Sequence, residues 1–255
     1  MPQLLEGKTA LILGVANKWS LAYAIAHAFR REGAAVLLTY QGERLKGPVE
    51  ALGAELGVTR VFECDVTKDD DLARLPEIVQ EHGRLDAMIH SVAFANREDL
   101  SRPFVETSRA GYLLAQDVSA YSMVAVARAT APLMTAGGSM TTMTYLGSMR
   151  VVPNYNVMGV AKAALEASVR YLANDLGPSG IRVNAISAGP VKTASARAVK
   201  DLSALLEKAP LRAPLRRNCE PSEVADTAVF LASDLGRGVT GNIIFVDAGL
   251  QLLGL

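Results

Sequence analysis

Tyr155 and Lys162 place a phenol and an ammonium seven positions apart, in a stretch (residues 153–162) that runs into the apolar-periodic residues 163–176. Pro153 suits the first turn of a helix, so the spacing predicts that both side chains lie on one helix. At about 100° and about 1.5 Å per residue, seven steps bring them within roughly 20° of one face, about 10 Å apart along the axis. Two long polar side chains so placed can converge on one bound molecule. A nearby cation favours phenolate, which would make the phenol a better proton donor near neutral pH than its ordinary pKa of about 10 suggests. Tyr and Lys at this spacing also occur on helices that do no chemistry, so the surrounding elements decide the matter.

Those elements alternate regularly. Residues 9–13 (TALIL) read as a strand buried on both faces, and the turn Gly14-Val15-Ala16-Asn17-Lys18-Trp19 leads to Ser20, a good N-cap for a helix over 21–29. Strand, turn and helix N-terminus is the arrangement that cradles a pyrophosphate, although Gly14 is the only glycine in the turn and a plain tight turn reads equally well. Further strands are expected at 34–40, 60–64, 85–90, 139–146, 181–186 and 242–246, with helices at 43–56, 70–82, 111–130, from Pro153 to the end of the periodic stretch, and 221–233. Seven strands alternating with helices, without internal repeat or linker, predict one Rossmann-type α/β domain over residues 1–255: a doubly wound parallel sheet with helices on both faces.

Ligands of such sheets sit at the strands' carboxyl ends. There the chain offers Gln41 after the second strand, followed by Glu43, Arg44 and Lys46. It also offers Asp65 after the third strand, the small-residue exit at 91–95 after the fourth, and Tyr145 at the end of the fifth. Asp65 can accept from an adenine amino group or, with Thr67 beside it, cap a helix. The Gly189-Pro190 exit of the sixth strand demands a defined turn, and its backbone with the Thr193 hydroxyl can hold a carboxamide or a phosphate. Residues 192–214 change character, with small residues, leucines and the cations Lys192, Arg197, Lys200, Lys208 and Arg212, followed just beyond by Arg216 and Arg217, against Asp201 and Glu207. This segment reads as a helical lid beside the site or as a solvated surface. Met123, Met134, Met140, Met143, Met149 and Met158 are read as core filler ahead of a lipid-pocket lining.

Composition narrows the function classes. The chain has 255 residues, 50% of them hydrophobic, with 26 basic against 26 acidic residues. That balance gives no sign of a nucleic-acid or anionic-membrane surface. Two distant cysteines, Cys64 and Cys219, fit a reduced cytoplasmic chain, and His27, His82 and His90 lack metal-ligand spacing. No apolar run approaches membrane-spanning length, so no membrane insertion is expected. The apolar tail 249–255 looks suited to a subunit interface.

From about residue 5 to 250 the chain resembles the short-chain dehydrogenases, and within them the type I enoyl-acyl-carrier-protein reductases of bacterial fatty acid synthesis. The resemblance is carried by residues 14–20, Cys64-Asp65-Val66, Tyr145, Pro153-Asn154-Tyr155-Asn156-Val157-Met158-Gly159 with Lys162, and Ala185-Ile186-Ser187-Ala188-Gly189-Pro190. Most relatives in the superfamily space their catalytic Tyr and Lys by three residues; six intervene here, as in this branch. Aligned on Lys162, Met158 falls where the usual Tyr stands and Tyr145 where the usual Ser stands, which counts against the nearest rival, an NADPH-dependent carbonyl reductase. A catalytically silent dinucleotide sensor is the third reading.

The resemblance implies reduction of the trans-2 double bond of an enoyl thioester by NADH. It implies Tyr155 as the donor to the developing enolate, Lys162 on the nicotinamide ribose, and Tyr145 at the thioester end, with Phe94 and Ala95 also touching substrate. It implies a cofactor held by Gly14, Ser20, Leu21, Gln41, Asp65, Val66, Val92, Lys162, Val191, Lys192, Thr193, Ala194 and Ser195. Gln41 resembles the NADH-using members, although Arg44 and Lys46 remain near enough in sequence to meet the 2′-phosphate of NADPH. An acidic acyl carrier protein would dock at Lys200, a role extended here to Arg197 and Lys208, and a homotetramer is the family's expectation.

Overall fold

Strand β1, Thr9–Leu13, is buried along its whole length, and successive side chains feed two different cores. Ala10 and Ile12 face the layer of α1 (Leu21–Arg31) and α9 (Pro221–Ala232), where Ile25, Phe29, Val224 and Leu231 are buried. Leu11 and Leu13 face the layer of α3 (Asp69–Gln80), α6 (Ser122–Thr130) and α7 (Asn156–Leu176), among Leu75, Val79, Met123, Val126, Leu165 and Val169. A strand sandwiched in this way reads as an unbroken apolar run, because neither face meets water. Each fully buried Leu, Ile or Phe contributes about 1.5–3 kcal/mol of transfer free energy.

The computed structural model describes residues 3–191 and 202–253. The remaining strands are β2 (Ala35–Tyr40), β3 (Arg60–Glu63), β4 (Ala87–His90), β5 (Gly138–Thr144), β6 (Ile181–Ala188) and β7 (Ile243–Val246). They form one seven-stranded sheet in the order β3-β2-β1-β4-β5-β6-β7. Every pairing is parallel, with Leu13 opposite His90 and Thr144 opposite Ser187. All strands therefore end at one edge, and the order reverses between β1 and β4, where a doubly wound sheet opens a crevice. The connecting helices α2 (Glu43–Leu56), α4 (Arg97–Ser101), α5 (Arg109–Gln116) and α8 (Leu202–Arg212) complete the described elements used below. Among the described residues no helix is long and apolar enough to cross a membrane. Five of the six methionines read as filler are buried, and Met149 is exposed.

Three local departures from the sequence expectation bear on the site. The helix expected over 111–130 is interrupted by a π-helical turn, Asp117–Tyr121, between α5 and α6. One extra residue per turn barely disturbs apolar periodicity, so the interruption leaves little trace in the sequence. Strand β5 ends at Thr144, which puts Tyr145 just beyond it. Helix α7 starts at Asn156, not at Pro153, and Tyr155 is its N-cap with φ −105° and ψ −30°. Asn154 and Asn156 have φ of 62° and 35°, a left-handed region that asparagine tolerates better than most residues. The Asn156 amide then donates to the carbonyls of Leu100 (2.8 Å) and Arg102 (2.6 Å), tying the start of α7 to α4.

Candidate active site

Because Tyr155 precedes the helix, the shared helical face inferred from its spacing to Lys162 does not describe its position. Its ring instead stands edge-on to that of Tyr145, with centroids 5.0 Å apart and planes at 68°. Gly147, in the turn Leu146–Ser148 after Tyr145, makes room for this pair: a Cβ there would overlap the Tyr155 ring and lie 3.4 Å from that of Tyr145. Gly159 in α7 allows the second half of the arrangement, since its Cβ would come within 2.7 Å of the Gly147 carbonyl oxygen. Burial first, and then the neighbouring Tyr145 and Glu166, push the Tyr155 phenol well above the ordinary tyrosine range. Tyr145 is pushed up to about 12, by burial and then by Asp247. The lowered phenol pKa expected from the sequence is therefore corrected: burial raises both phenols, and both stay protonated across the physiological range.

Lys162 is 5% exposed, and its ammonium donates to the Met143 carbonyl of β5 at 2.8 Å. Burial lowers its pKa to about 8, against an upward pull from Glu166. Glu166, one turn further along α7, is itself buried and accepts from the Thr144 hydroxyl at 2.6 Å. The fully buried His90 closes this region from β4. Its Nδ1 lies 3.0 Å from the Thr142 hydroxyl, and its Nε2 lies 2.9 Å from that of Ser122. Ser122 donates its own proton to the Val118 carbonyl at 2.7 Å and Thr142 donates its own to the His90 carbonyl at 3.1 Å, so both hydroxyls offer lone pairs to the ring and compete for the single N–H of a neutral imidazole. Burial, with Lys162 second, drives the His90 pKa down to about 3, so this imidazole is neutral.

On the other side of the crevice, Gly14 has φ of 100°, and a Cβ there would collide with the Ser91 carbonyl at the end of β4. The turn that follows is internally braced: the Ser20 hydroxyl donates to the Asn17 carbonyl at 2.7 Å and accepts from the Tyr23 amide at 3.4 Å. The first amides of α1, beginning at Leu21, lack helical partners as in any α-helix and face the crevice end of the sheet. Gln41 is exposed after β2 and hydrogen-bonds to Asp65. Asp65 also accepts from the Thr67 amide (3.0 Å) and hydroxyl (2.8 Å), so the turn-capping alternative is present in the fold. Burial opposes its charge, but these hydrogen bonds outweigh it and hold the carboxyl below its ordinary value. Val66 and Val191 are buried, and Val92 is half-buried. Lys192, Thr193, Ala194, Ser195, Arg197 and Lys200 lie outside the described residues.

The segment after β4 forms the remaining wall. Phe94 is 52% exposed and Ala95 half-buried. Ala93, Ala95 and Tyr155 pack on a small cluster of Leu100, Ala115, Val157, Met158 and Ala161, an apolar floor beside the two tyrosines. Ser119, in the π-turn, holds this wall in place, accepting from the Phe94 amide at 2.9 Å and donating to the Phe94 carbonyl at 3.0 Å. Within residues 202–214, Lys208 and Arg212 are exposed. Arg217 is bound to Glu223 at 2.7 and 2.6 Å and so belongs to the start of α9. Sequence reasoning missed Glu166, Thr144, Ser119 and Gly147. The one readable sign was Glu166, an acidic residue four positions after Lys162 on a buried helix face.

The strand-end crevice, the buried lysine and the paired tyrosines define a dinucleotide-dependent reductase of the short-chain dehydrogenase class. The family model described as enoyl-(acyl carrier protein) reductase matches residues 14–251. A Bacillus cereus enoyl-acyl-carrier-protein reductase, whose name specifies NADH, is 54% identical over 255 residues, covering 99% of this chain and 100% of its own. The crystal structure of Bacillus cereus enoyl-acyl carrier protein reductase with NADP+ and indole naphthyridinone superposes with a TM-score of 0.97 at 55% identity, covering 99% of this chain and 100% of its own. An Anaplasma phagocytophilum enoyl-acyl-carrier-protein reductase in complex with NAD gives a TM-score of 0.95 at 44% identity, covering 100% of this chain and 96% of that one. The chain belongs to the enoyl-acyl-carrier-protein reductase family.

Proposed function

We propose that this reductase saturates the trans-2 double bond of enoyl thioesters, the last step of the fatty acid elongation cycle, with Tyr155 as the donor that stabilises the transition state. The observation that carries this assignment is the edge-on Tyr145–Tyr155 pair at the carboxyl end of β5, set over an apolar floor that suits an acyl chain. NADH supplies the hydride to the β-carbon of the substrate. Negative charge then develops on the thioester oxygen, and a preorganised donor aimed at that oxygen is worth about 3–4 kcal/mol. With its phenol held neutral by burial, Tyr155 keeps its proton and donates a hydrogen bond to the oxygen, and a proton drawn ultimately from solvent then adds at the α-carbon to give the saturated thioester. Tyr145 braces the Tyr155 ring and lines the thioester end.

The crevice residues fit a dinucleotide. The α1 N-terminus after Gly14 and Ser20, with Leu21, takes the pyrophosphate; Gln41, Asp65 and Val66 take the adenosine end; Val92 and Val191 flank the nicotinamide. Lys162 uses one of its three N–H donors on Met143, leaving two for the nicotinamide ribose hydroxyls. Lys192, Thr193, Ala194 and Ser195 complete the cofactor site. NADH is favoured over NADPH because Gln41, the first residue after β2, is neutral. Phe94 and Ala95 contact the acyl group.

Residues 192–214 act as the substrate lid, and acidic acyl carrier protein docks on its cations: Lys200, Arg197 and the exposed Lys208. The exposed Leu252 and Leu253, beside the half-buried edge strand β7, support assembly into a homotetramer. The enzyme is cytoplasmic, in keeping with a carrier-protein substrate and two unpaired, buried cysteines.

The test follows absorbance at 340 nm with purified protein and crotonyl thioester, comparing NADH with NADPH. Fast NADH oxidation is expected, with NADPH much slower; preference for NADPH would overturn the cofactor assignment alone. A Tyr155→Phe variant should bind NADH as the parent does but lose about 10²–10³-fold in kcat. Turnover of ketones without turnover of crotonyl thioester would refute the reaction.

A further inference from the structure

We propose that Glu166 is a positioning residue: anchored on Thr144, its buried carboxylate keeps Lys162 in the charged form that binds the cofactor. The inference rests on the reading of Lys162 as the ribose contact. Its basis is a register between one helix and one strand. Lys162 and Glu166, four residues apart on α7, are seated on consecutive residues of β5, the ammonium on the Met143 carbonyl and the carboxylate on the Thr144 hydroxyl. Both side chains are nearly sealed from water, at 5% and 6% exposure. A buried ammonium next to a carbonyl alone is disfavoured relative to the neutral amine, and a fixed negative charge in the same low-dielectric region reverses that preference.

The other titratable groups around Lys162 cannot take this role. His90, reaching in from β4, is neutral and couples to Lys162 only as a second potential cation. Tyr145, after β5, and Tyr155, at the start of α7, carry phenols that burial keeps protonated. Among the described residues Glu166 is the one carboxylate whose charge favours the Lys162 ammonium, and it does so against burial, which leaves Lys162 titrating at about 8. The enzyme thus holds its ribose-binding cation only just on the charged side of neutrality.

The test is NADH affinity measured by cofactor fluorescence with the full-length protein from pH 6 to 9.5, which reads binding without turnover. Parent affinity should weaken as pH rises through about 8, because the ammonium is present below its pKa and lost above it. Glu166→Gln keeps an oxygen for the Thr144 hydroxyl but removes the charge. Its midpoint should fall by about one pH unit, giving NADH binding about fivefold weaker than the parent at pH 8 and equal to it at pH 6. An unshifted midpoint, or a Kd raised equally at every pH as a purely structural role would give, overturns the proposal. Lys162→Gln should abolish the pH dependence; if the dependence persists there, the reading of Lys162 itself fails, independently of the Glu166 result. Should Glu166→Gln not fold, Thr144→Val removes the anchor instead and must move the midpoint in the same direction.

Discussion

Gly147→Ala isolates the placement of the tyrosine pair from everything else in the site. The position does not have a left-handed backbone, so alanine fits its φ and ψ without strain, and the perturbation is the added methyl alone. That methyl would sit 2.7 Å from Cε1 of Tyr155, where ordinary contact begins near 3.4 Å, so the ring must move by at least about 0.7 Å. The Tyr145 ring, already 3.4 Å from the new atom, restricts one direction of escape. Overpacking of this kind costs about 1–3 kcal/mol, equivalent to a fall in Tm of about 2–12 °C for a chain of this size. Catalysis should suffer more, since displacing a reacting group by about 1 Å costs on the order of 10²-fold in rate, or about 2.7 kcal/mol of barrier. The assay pairs crotonyl-thioester turnover with NADH affinity and thermal unfolding. The expected pattern is a kcat near one-hundredth of the parent, unchanged NADH affinity and a modest drop in Tm. A folded Gly147→Ala protein with parental kcat would refute the claim that this glycine sets the ring proposed as the donor.

Other outcomes are expected elsewhere in the chain. Ser119→Ala leaves the Phe94 amide and carbonyl without their partner, a loss of about 1–3 kcal/mol. Its clearest sign should be a raised KM for the thioester at nearly constant NADH affinity, and an unchanged KM would show that the π-turn does not position the substrate wall. Arg217, and then the Glu220 amide, hold the Glu223 carboxyl down to about 2. A depressed carboxylate stabilises the fold above its ordinary pKa of 4.5 and loses that contribution as pH falls towards 2. The Tm difference between parent and Arg217→Ala should accordingly shrink between pH 5 and pH 2; a difference that stays constant would mean that the pair has no thermodynamic weight.

The sheet was legible because its strands declare themselves by burial. TALIL at 9–13 is apolar at each position but Thr9, since both faces are covered, and the carboxyl-end residues Gly14, Asp65 and Tyr145 followed from the strand assignments. Helix interiors were legible for the same reason, even across Pro48 in α2 and Pro76 in α3. What failed were features set by backbone torsion. Pro153 reads as a helix opener, but the left-handed Asn154 and Asn156 delay the helix and turn Tyr155 towards Tyr145, and such φ values have no periodic signal. The direction of the Tyr155 shift was misread for a related reason. Spacing suggests that Lys162 acts on Tyr155, whereas burial outweighs any such effect, and burial is a property of the packed molecule. Ser119 and Thr144 are ordinary polar residues in sequence, and their roles exist only through partners 25 and 22 residues away.

The meeting of Gly147 with Gly159 has a mechanical consequence. At that point main chain rests on main chain, with no side chain between the helix that Tyr155 caps and the turn that follows Tyr145. Side chains act as springs in most interfaces, absorbing small displacements by changing rotamer; a joint without them has almost no compliance. The long helix and the tyrosine turn therefore behave as one stiff body, and the alignment of the rings is inherited from the rigidity of a 21-residue helix anchored in the core. Such a joint tolerates thermal agitation well and tolerates substitution badly, which makes stiffness and mutational fragility two expressions of the same contact.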